Sequence, residues 1–252
     1  MSKHFELMQQ MEEDQPSMAP PPPAPAPAPV FQPQRAHALG VSTRRWASEE
    51  ALRLVQQIFL VQAKEPPRIV VFAGVDHGNG CSQICASVAE TLAKNARRPV
   101  CLLEANFRSP GLSELFGTTN HHGLTEALRN QGPMGAFAKR VSQDNLWLLS
   151  AGQVASDSAN LLTSTGLGER LAELRTAFDF VIIDAPPLTR YSDAVMLGQL
   201  SDGLVMVLEA DATRRDAALA AAANLRTVNV PILAAVLNKR TFPIPETIYQ
   251  RL

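Results

Sequence analysis

Cysteine is scarce in this sequence, and the few cysteines lie close together. The 252 residues include three of them, Cys81, Cys85 and Cys101. An odd, clustered set does not form a disulfide framework, so we expect a reducing compartment. Cys81 and Cys85 are four residues apart and could share one helix face. No further metal ligands follow them in the sequence, so we expect no metal site there.

Net charge and long apolar runs are also lacking. A net charge of −1 at pH 7 gives no general attraction to nucleic acid or to anionic membranes, and we expect no nucleic-acid partner. No stretch approaches the ~18 apolar residues of a membrane-spanning helix. The beginning, MSKHFELMQQ, lacks the apolar centre of a signal peptide. We therefore expect a cytoplasmic protein, which only a partner could hold at the inner membrane.

Proline is concentrated near the N-terminus and divides the chain into three parts. Residues 1–15 have apolar residues at helical spacing, which suits either a short amphipathic helix or a frayed terminus. Residues 16–45 contain the run PSMAPPPPAPAPAPVFQP, and we expect a disordered, extended linker there, with a ligand for a proline-binding module as the alternative. One folded domain is then predicted for residues 46–252.

Six short apolar runs predict buried strands in this domain. Helical patterns separate most of them, which is typical of crossover units in a parallel sheet. We therefore predict an α/β fold with a doubly wound, mostly parallel sheet and helices on both faces. Ligands of such folds bind beyond the carboxyl ends of the strands. The six runs are RIVVFA, VCLLEA, LWLLSA, FVIIDA, LVMVLEA and ILAAVLN.

A glycine-rich turn, AGVDHGNGCSQ, follows the first of these runs. Its glycines can adopt backbone angles that curl successive N–H groups around an anion, and the following helix start adds free N–H groups and partial positive charge. The lysine of a phosphate-binding loop is absent, because Cys81 occupies its place. We interpret Cys81 as a small helix-start residue, with a reactive thiolate as the alternative. The predicted nucleotide-binding residues are Gly78, Asn79, Gly80, Cys81, Ser82 and Gln83.

Polar residues also follow two other predicted strands. Glu104, Asn106 and Arg108 come after the second run, and Asp184 ends the fourth. A carboxylate in the position of Asp184 can hold the water shell of a magnesium ion. Beside a phosphate loop, these side chains predict a site for ATP or ADP with magnesium.

Together these features resemble the cytoplasmic domain of the bacterial tyrosine kinases (BY-kinases) of polysaccharide export, which are P-loop proteins related to the MinD/ParA ATPases. The resemblance covers roughly residues 47–252. It implies Ser82 and Asp184 as metal ligands, a helix with Glu50 and Arg53 that builds a homo-oligomer, and a membrane-bound polysaccharide chain-length (co-polymerase) protein as partner. It rests on FRSPGLSELFG, LLSAG, ANLLTS, ELRTAFDFVIIDAPPLTRYSDAVML, DGLVMVLEADATRRDAA and ILAAVLNKR.

The chain departs from the family in its nucleotide motifs. The family's Gly-Lys-Ser/Thr-Thr is Gly-Cys-Ser-Gln here, with Cys81 in place of the lysine. Asp76 occupies the position of the signature lysine of the MinD/ParA relatives. Glu104 and Asn106 stand where the family has the two aspartates of Asp-x-Asp-x-Arg. Of the three motifs, only the one that ends at Asp184 is intact.

Two features linked to assembly and phosphorylation also differ. Gln56 replaces the last arginine of the family's Glu-x-x-Arg-x-x-Arg helix. The family phosphorylates a C-terminal tyrosine cluster, whereas this chain has two tyrosines in all, Tyr191 and Tyr249.

Three functions remain open at this point. The first is a degenerate BY-kinase-like protein, a pseudokinase, that serves as a regulatory or scaffold subunit of exopolysaccharide or capsule synthesis and export, with weak or absent nucleotide binding. The second is a working tyrosine autokinase or ATPase, in which Glu104 and Asp184 would be catalytic and Lys94, Lys139 or Lys239 would supply the missing charge. The third is a MinD/ParA-like positioning ATPase, which the missing signature lysine disfavours.

Overall fold

Seven strands form one sheet in the order β3-β4-β2-β5-β1-β6-β7. The computed structural model describes residues 49–60, 65–130, 132–155, 158–162 and 166–240. The predicted segments 1–15 and 16–45 and the C-terminal tail with Tyr249 lie outside the described residues. The strands are β1 (Ile69–Gly74), β2 (Val100–Glu104), β3 (Lys139–Arg140), β4 (Leu146–Leu149), β5 (Phe180–Ala185), β6 (Gly203–Glu209) and β7 (Ile232–Asn238).

Six of these strands are the six apolar runs of the sequence, and they pair in parallel. The exception is β3, a two-residue edge strand that pairs antiparallel with β4. Its residues, Lys139 and Arg140, carry no apolar signal, so the sequence pattern did not predict it. The mostly parallel sheet confirms the predicted fold class.

Helices lie between most of the strands. The first, α1, covers residues 49–60 and ends in a π-helical turn, Gln56–Leu60. Across the described ranges, no helix has both the length and the apolar character of a membrane span. The others are α2 (Cys81–Ala96), α3 (Leu112–Leu115), α4 (Leu124–Arg129), α5 (Ser158–Leu161), α6 (Leu167–Ala177), α7 (Asp193–Gln199) and α8 (Arg215–Thr227), with a 3₁₀ turn at Met134–Phe137.

Each face of the sheet carries its own apolar core. Successive residues of β1 point to opposite faces, so that Val70 and Phe72 belong to one core and Val71 and Ala73 to the other. Side chains of α1 and α2 pack in the first core, and side chains of α4, α6, α7 and α8 pack in the second. This two-sided burial explains why the strands read as continuous apolar runs.

The strand order places the polar ends of β2 and β5 side by side at the carboxyl edge of the sheet. β5 lies between β1 and β2, and Asp184 is paired in register with Phe72 of β1 and with Glu104 of β2. The chain order reverses at β1, because β5 and β2 lie on one side of it and β6 lies on the other. Such a reversal opens the crevice in which doubly wound folds bind ligands.

Candidate phosphate-binding site

The loop between β1 and α2 has the backbone shape predicted for it. Gly78 and Gly80 have φ angles of 87° and 79°, a backbone conformation that residues with a Cβ rarely adopt. A Cβ on Gly80 would also lie 2.5 Å from the Nδ2 atom of Asn238. The first N–H groups of α2 have no intrahelical partner and carry partial positive charge. The backbone of this loop is suited to an anion such as phosphate. Binding of phosphate by the loop stays a prediction.

Residues of the loop and of the end of β7 hold this shape. The backbone N–H of Asp76 donates to Oδ1 of Asn79 at 2.7 Å. Asn238 Nδ2 donates to the Asn79 carbonyl at 2.8 Å, and Lys239 Nζ donates to the Gly78 carbonyl at 2.8 Å. Asn238 is the last residue of β7, at the same carboxyl edge as Asp184. The sequence signal for the contact between Asn238 and the loop is its position at the end of a strand that meets this edge, like Glu104 and Asp184.

The two predicted metal ligands lie together at the start of α2. Ser82 Oγ donates a hydrogen bond of 2.6 Å to Oδ2 of Asp184. Asp184 is almost fully buried, and burial, as the largest cause, raises its pKa to about 6. The nearby Glu104 carboxylate also raises this pKa, whereas the hydrogen bond from Ser82 opposes the change.

The thiol of Cys81 lies beside that of Cys85 and close to Asp184. Its Sγ atom lies 4.0 Å from Sγ of Cys85, and Cys85 Sγ lies 3.7 Å from Oδ1 of Asp184. The interaction with Cys85 lowers the pKa of Cys81, but burial and Asp184 together outweigh it and raise that pKa. This direction opposes the reactive-thiolate interpretation. β5 brings Asp184 close to the two cysteines, which the sequence pattern did not indicate. The expectation that no metal binds there stays a prediction.

Glu104, considered as a catalytic residue, is held by three backbone N–H groups. The side chain is fully buried, and Oε1 accepts hydrogen bonds of 2.6 Å from the backbone N–H groups of Gly111 and Leu112. Oε2 accepts a third bond, of 3.0 Å, from the backbone N–H of Ala151. Glu104 therefore ties the end of β2 to the start of α3 and to the segment after β4. This engagement argues against the catalytic role considered for it.

The neighbouring residues of the second motif lie nearer the surface. Asn106 Oδ1 accepts a hydrogen bond of 3.3 Å from the backbone of Ser109. The Arg108 guanidinium lies 4.6 Å above the ring of Tyr191, and its Nε is 3.9 Å from Asp193. No sequence pattern predicted that Arg108 stacks on Tyr191, because the two residues are far apart in the chain.

One of the three lysines considered as replacements for the missing charge lies at the loop. Lys239 Nζ bonds both the Gly78 carbonyl and, at 3.0 Å, Oε2 of Glu209. Lys139 donates to Thr119 instead, and Lys94 lies in the last turn of α2, at the opposite end from the loop.

Glu50 and Arg53 pair with each other on the surface of α1. Arg53 Nη1 lies 3.0 Å from Oε1 of Glu50, and their side chains are 70% and 63% exposed. Such a pair contributes little to stability. Their role in assembly stays a prediction.

Comparison with curated proteins finds bacterial tyrosine kinases. The chain is 28% identical over 191 residues to the tyrosine-protein kinase YwqD of Bacillus subtilis, which covers 76% of this chain and 80% of YwqD. It is 30% identical over 157 residues to the tyrosine-protein kinase wzc of Salmonella typhimurium, which covers 62% of this chain. This chain is a homologue of the bacterial tyrosine kinases. The predicted family resemblance is thereby confirmed, although no protein-family model matches the chain.

Some relatives are much longer than the region they share with this chain. The chain spans 21% of wzc. It likewise spans 22% of the succinoglycan biosynthesis transport protein ExoP of Rhizobium meliloti, to which it is 29% identical over 175 residues, or 68% of its own length.

Solved structures show the same fold. The chimerical protein CapA2B2 superposes with a TM-score of 0.72 at 22% identity, over 77% of this chain and 85% of the other. The kinase domain of the Escherichia coli tyrosine kinase ETK gives 0.69 at 20% identity, over 78% of both chains. MinD of Pyrococcus horikoshii, in complex with Mg-ADP, gives 0.58 at 18% identity, over 73% of this chain and 76% of MinD.

Proposed function

We propose that this chain is a degenerate BY-kinase-like protein that binds Mg-ATP or Mg-ADP weakly and does not transfer phosphate. It acts as a regulatory or scaffold subunit of bacterial exopolysaccharide or capsule synthesis and export. Its partner in this proposal is a membrane-bound polysaccharide co-polymerase, which holds it at the cytoplasmic face of the inner membrane.

The observation that carries the proposal is the contrast between the loop's backbone and its side chains. Gly78 and Gly80 keep the anion-binding shape, and Ser82 and Asp184 keep a metal-ligand pair. The residue in the lysine position, Cys81, carries no positive charge, and its thiol interacts with Cys85 and Asp184. Backbone and metal can therefore hold a nucleotide, while the side chain that stabilises developing charge is missing.

The expected losses differ for binding and for catalysis. A charge-assisted hydrogen bond contributes about 1.5–3 kcal/mol, so its absence weakens nucleotide binding roughly ten- to over a hundredfold. Removal of one donor to developing charge slows turnover by about 10²–10³ in other enzymes. Asn106 replaces a carboxylate and cannot act as a base, and Glu104 is engaged by backbone N–H groups. These changes favour a loss of catalysis over a loss of binding.

The polysaccharide role and the partner follow from the relatives. ExoP is named as a succinoglycan biosynthesis transport protein and is far longer than this chain. We infer that the partner is a membrane protein of the same polysaccharide system. Co-purification of the full chain with the co-polymerase of the same bacterium, from detergent-solubilised membranes, tests this part. Absence of that protein from the captured material contradicts it.

Calorimetry of the full chain with Mg-ATP and Mg-ADP tests the nucleotide part. We expect weak, magnesium-dependent binding that Asp184→Ala abolishes, because Asp184 is the buried carboxylate beside Ser82. Asp211→Ala is the control, since Asp211 is an exposed carboxylate after β6. Equal binding by wild type and Asp184→Ala, with and without magnesium, contradicts use of the site in the family's way.

Lys239 supports a second candidate, a working tyrosine kinase or ATPase. Its ammonium group already contacts the loop at Gly78 and could turn toward a terminal phosphate. Under this alternative, Lys239→Met abolishes phosphate release, while the control Lys139→Met does not, because Lys139 contacts Thr119 instead. Phosphate on Tyr249 after expression with ATP, detected by mass spectrometry, would also favour the kinase.

A further inference from the structure

Two thiols and a carboxylate meet beneath the phosphate loop. The ligand atoms of Cys81, Cys85 and Asp184 all lie within 4.8 Å of one another. Two of these residues are four positions apart on α2, and the third comes from β5. Cys85 and Asp184 are buried, and Cys81 is partly exposed to solvent. An ion could therefore enter from the side of Cys81.

The spacing of these atoms fits a tetrahedral ion better than a disulfide. Zinc–sulfur bonds of about 2.3 Å and zinc–oxygen bonds of about 2.0 Å place two sulfur ligands about 3.8 Å apart, and sulfur and oxygen about 3.5 Å apart. The observed separations are 4.0 Å between the two sulfur atoms and 3.7 Å between Cys85 Sγ and Asp184 Oδ1. A disulfide needs about 2.05 Å between its sulfur atoms.

The donor set also discriminates between metals. Magnesium prefers six oxygen ligands and binds sulfur poorly, whereas two thiolates with one carboxylate suit a borderline-soft ion such as Zn²⁺. Ser82 Oγ, 2.6 Å from Asp184 Oδ2, or a water molecule can complete four ligands. The fourth position is thus not filled by a strong protein ligand, as in zinc sites with an open position.

We propose that Cys81, Cys85 and Asp184 form a binding site for one thiophilic divalent ion of the zinc class. Binding exchanges the two thiol protons for the ion, and the protons leave to solvent. The inference goes beyond nucleotide binding and does not depend on it, because the three ligands belong to the protein alone. Failure of one proposal is therefore distinguishable from failure of the other.

The test uses the full chain, freed of metal by a chelator that is then dialysed away, and metal ions alone. Titration with Co²⁺ should give one equivalent of bound ion, with the charge-transfer band of a cobalt–thiolate bond and the visible bands of four-coordinate cobalt. Zn²⁺ should then displace Co²⁺ and remove both signals. X-ray absorption of the zinc form should show two sulfur neighbours at about 2.3 Å and oxygen neighbours at about 2.0–2.2 Å.

Three variants decide whether these residues are the ligands. Cys81→Ser and Cys85→Ser should each lose the charge-transfer intensity of one sulfur and the stoichiometric binding. Cys101→Ala is the matched control, because Cys101 is a buried thiol of β2 outside the cluster, and it should bind as wild type does. Cys81 is half-buried, so its variant should fold even if Cys85→Ser does not. Unchanged cobalt binding by Cys81→Ser, or no binding by wild type, overturns the proposal.

Discussion

The Glu104 carboxylate gives the sharpest prediction about the structure around the site. Glu104→Gln keeps the size of the side chain but replaces one oxygen by an amide that donates hydrogen bonds. The three backbone N–H groups that now face Glu104 would then share one acceptor oxygen. At least one charge-assisted hydrogen bond is lost, so we expect a loss of about 1.5–3 kcal/mol in the free energy of unfolding.

Urea unfolding, followed by circular dichroism, measures this change. Glu114→Gln is the control, because Glu114 lies on α3, the helix whose start Glu104 contacts, but is exposed, and it should shift stability by less than about 0.5 kcal/mol. If Glu104→Gln unfolds at the same urea concentration as wild type and yet abolishes phosphate release, Glu104 is catalytic and the structural account of it is wrong.

Two further predictions concern Asp202 and Asp184. Burial alone raises the pKa of Asp202, but the hydrogen bond from Arg175 and those from the backbone N–H groups of Ile69 and Arg68 outweigh it, and the pKa falls below its ordinary value of 3.8. A lowered pKa in the folded state stabilises the protein above the unfolded pKa, and this contribution disappears as the pH falls through the folded value. Asp202→Asn should therefore lower the free energy of unfolding by about 1–2 kcal/mol at pH 7 and by less below pH 3.8. Urea titrations of wild type and variant at several pH values measure this difference, and a difference that does not change with pH contradicts the prediction. The pKa of Asp184 is about 6, so its carboxyl group is mostly protonated at pH 5 and ionised at pH 8. The protein should therefore bind Mg-nucleotide more weakly at pH 5 than at pH 8. Equal affinity by calorimetry at both pH values would show that the metal does not need the ionised carboxylate.

The sequence predicted the fold well because the determinants of the sheet are local. Five of the six parallel strands, all except the outer strand β7, are apolar runs whose residues are mostly buried on both faces of the sheet. The short strand β3 was missed because Lys139 and Arg140 form it through pairing with β4, and their own sequence does not favour a strand.

The site was predicted only in part, because its contacts connect distant residues. The proximity of Ser82 and Asp184 follows from the rule that parallel strands end at one edge. The contact between Cys85 and Asp184 joins residues 99 positions apart and depends on the rotation of α2 about its axis, which no pattern fixes. The partners of Glu104 are backbone N–H groups. Every residue type except proline has such a group, so the amino-acid sequence does not show which of them will lie near Glu104.

The central claim is that the loop keeps its phosphate-binding shape but lacks catalytic charge. The direct test is titration of wild type and Cys81→Lys with a fluorescent ATP analogue and magnesium, paired with a phosphate-release assay. Cys81→Lys should bind about ten- to a hundredfold more tightly, from about 1.5–3 kcal/mol for a charged hydrogen bond, without full turnover, because Asn106 remains. Binding no tighter than that of wild type, or faster phosphate release by wild type than by the variant, would contradict the account.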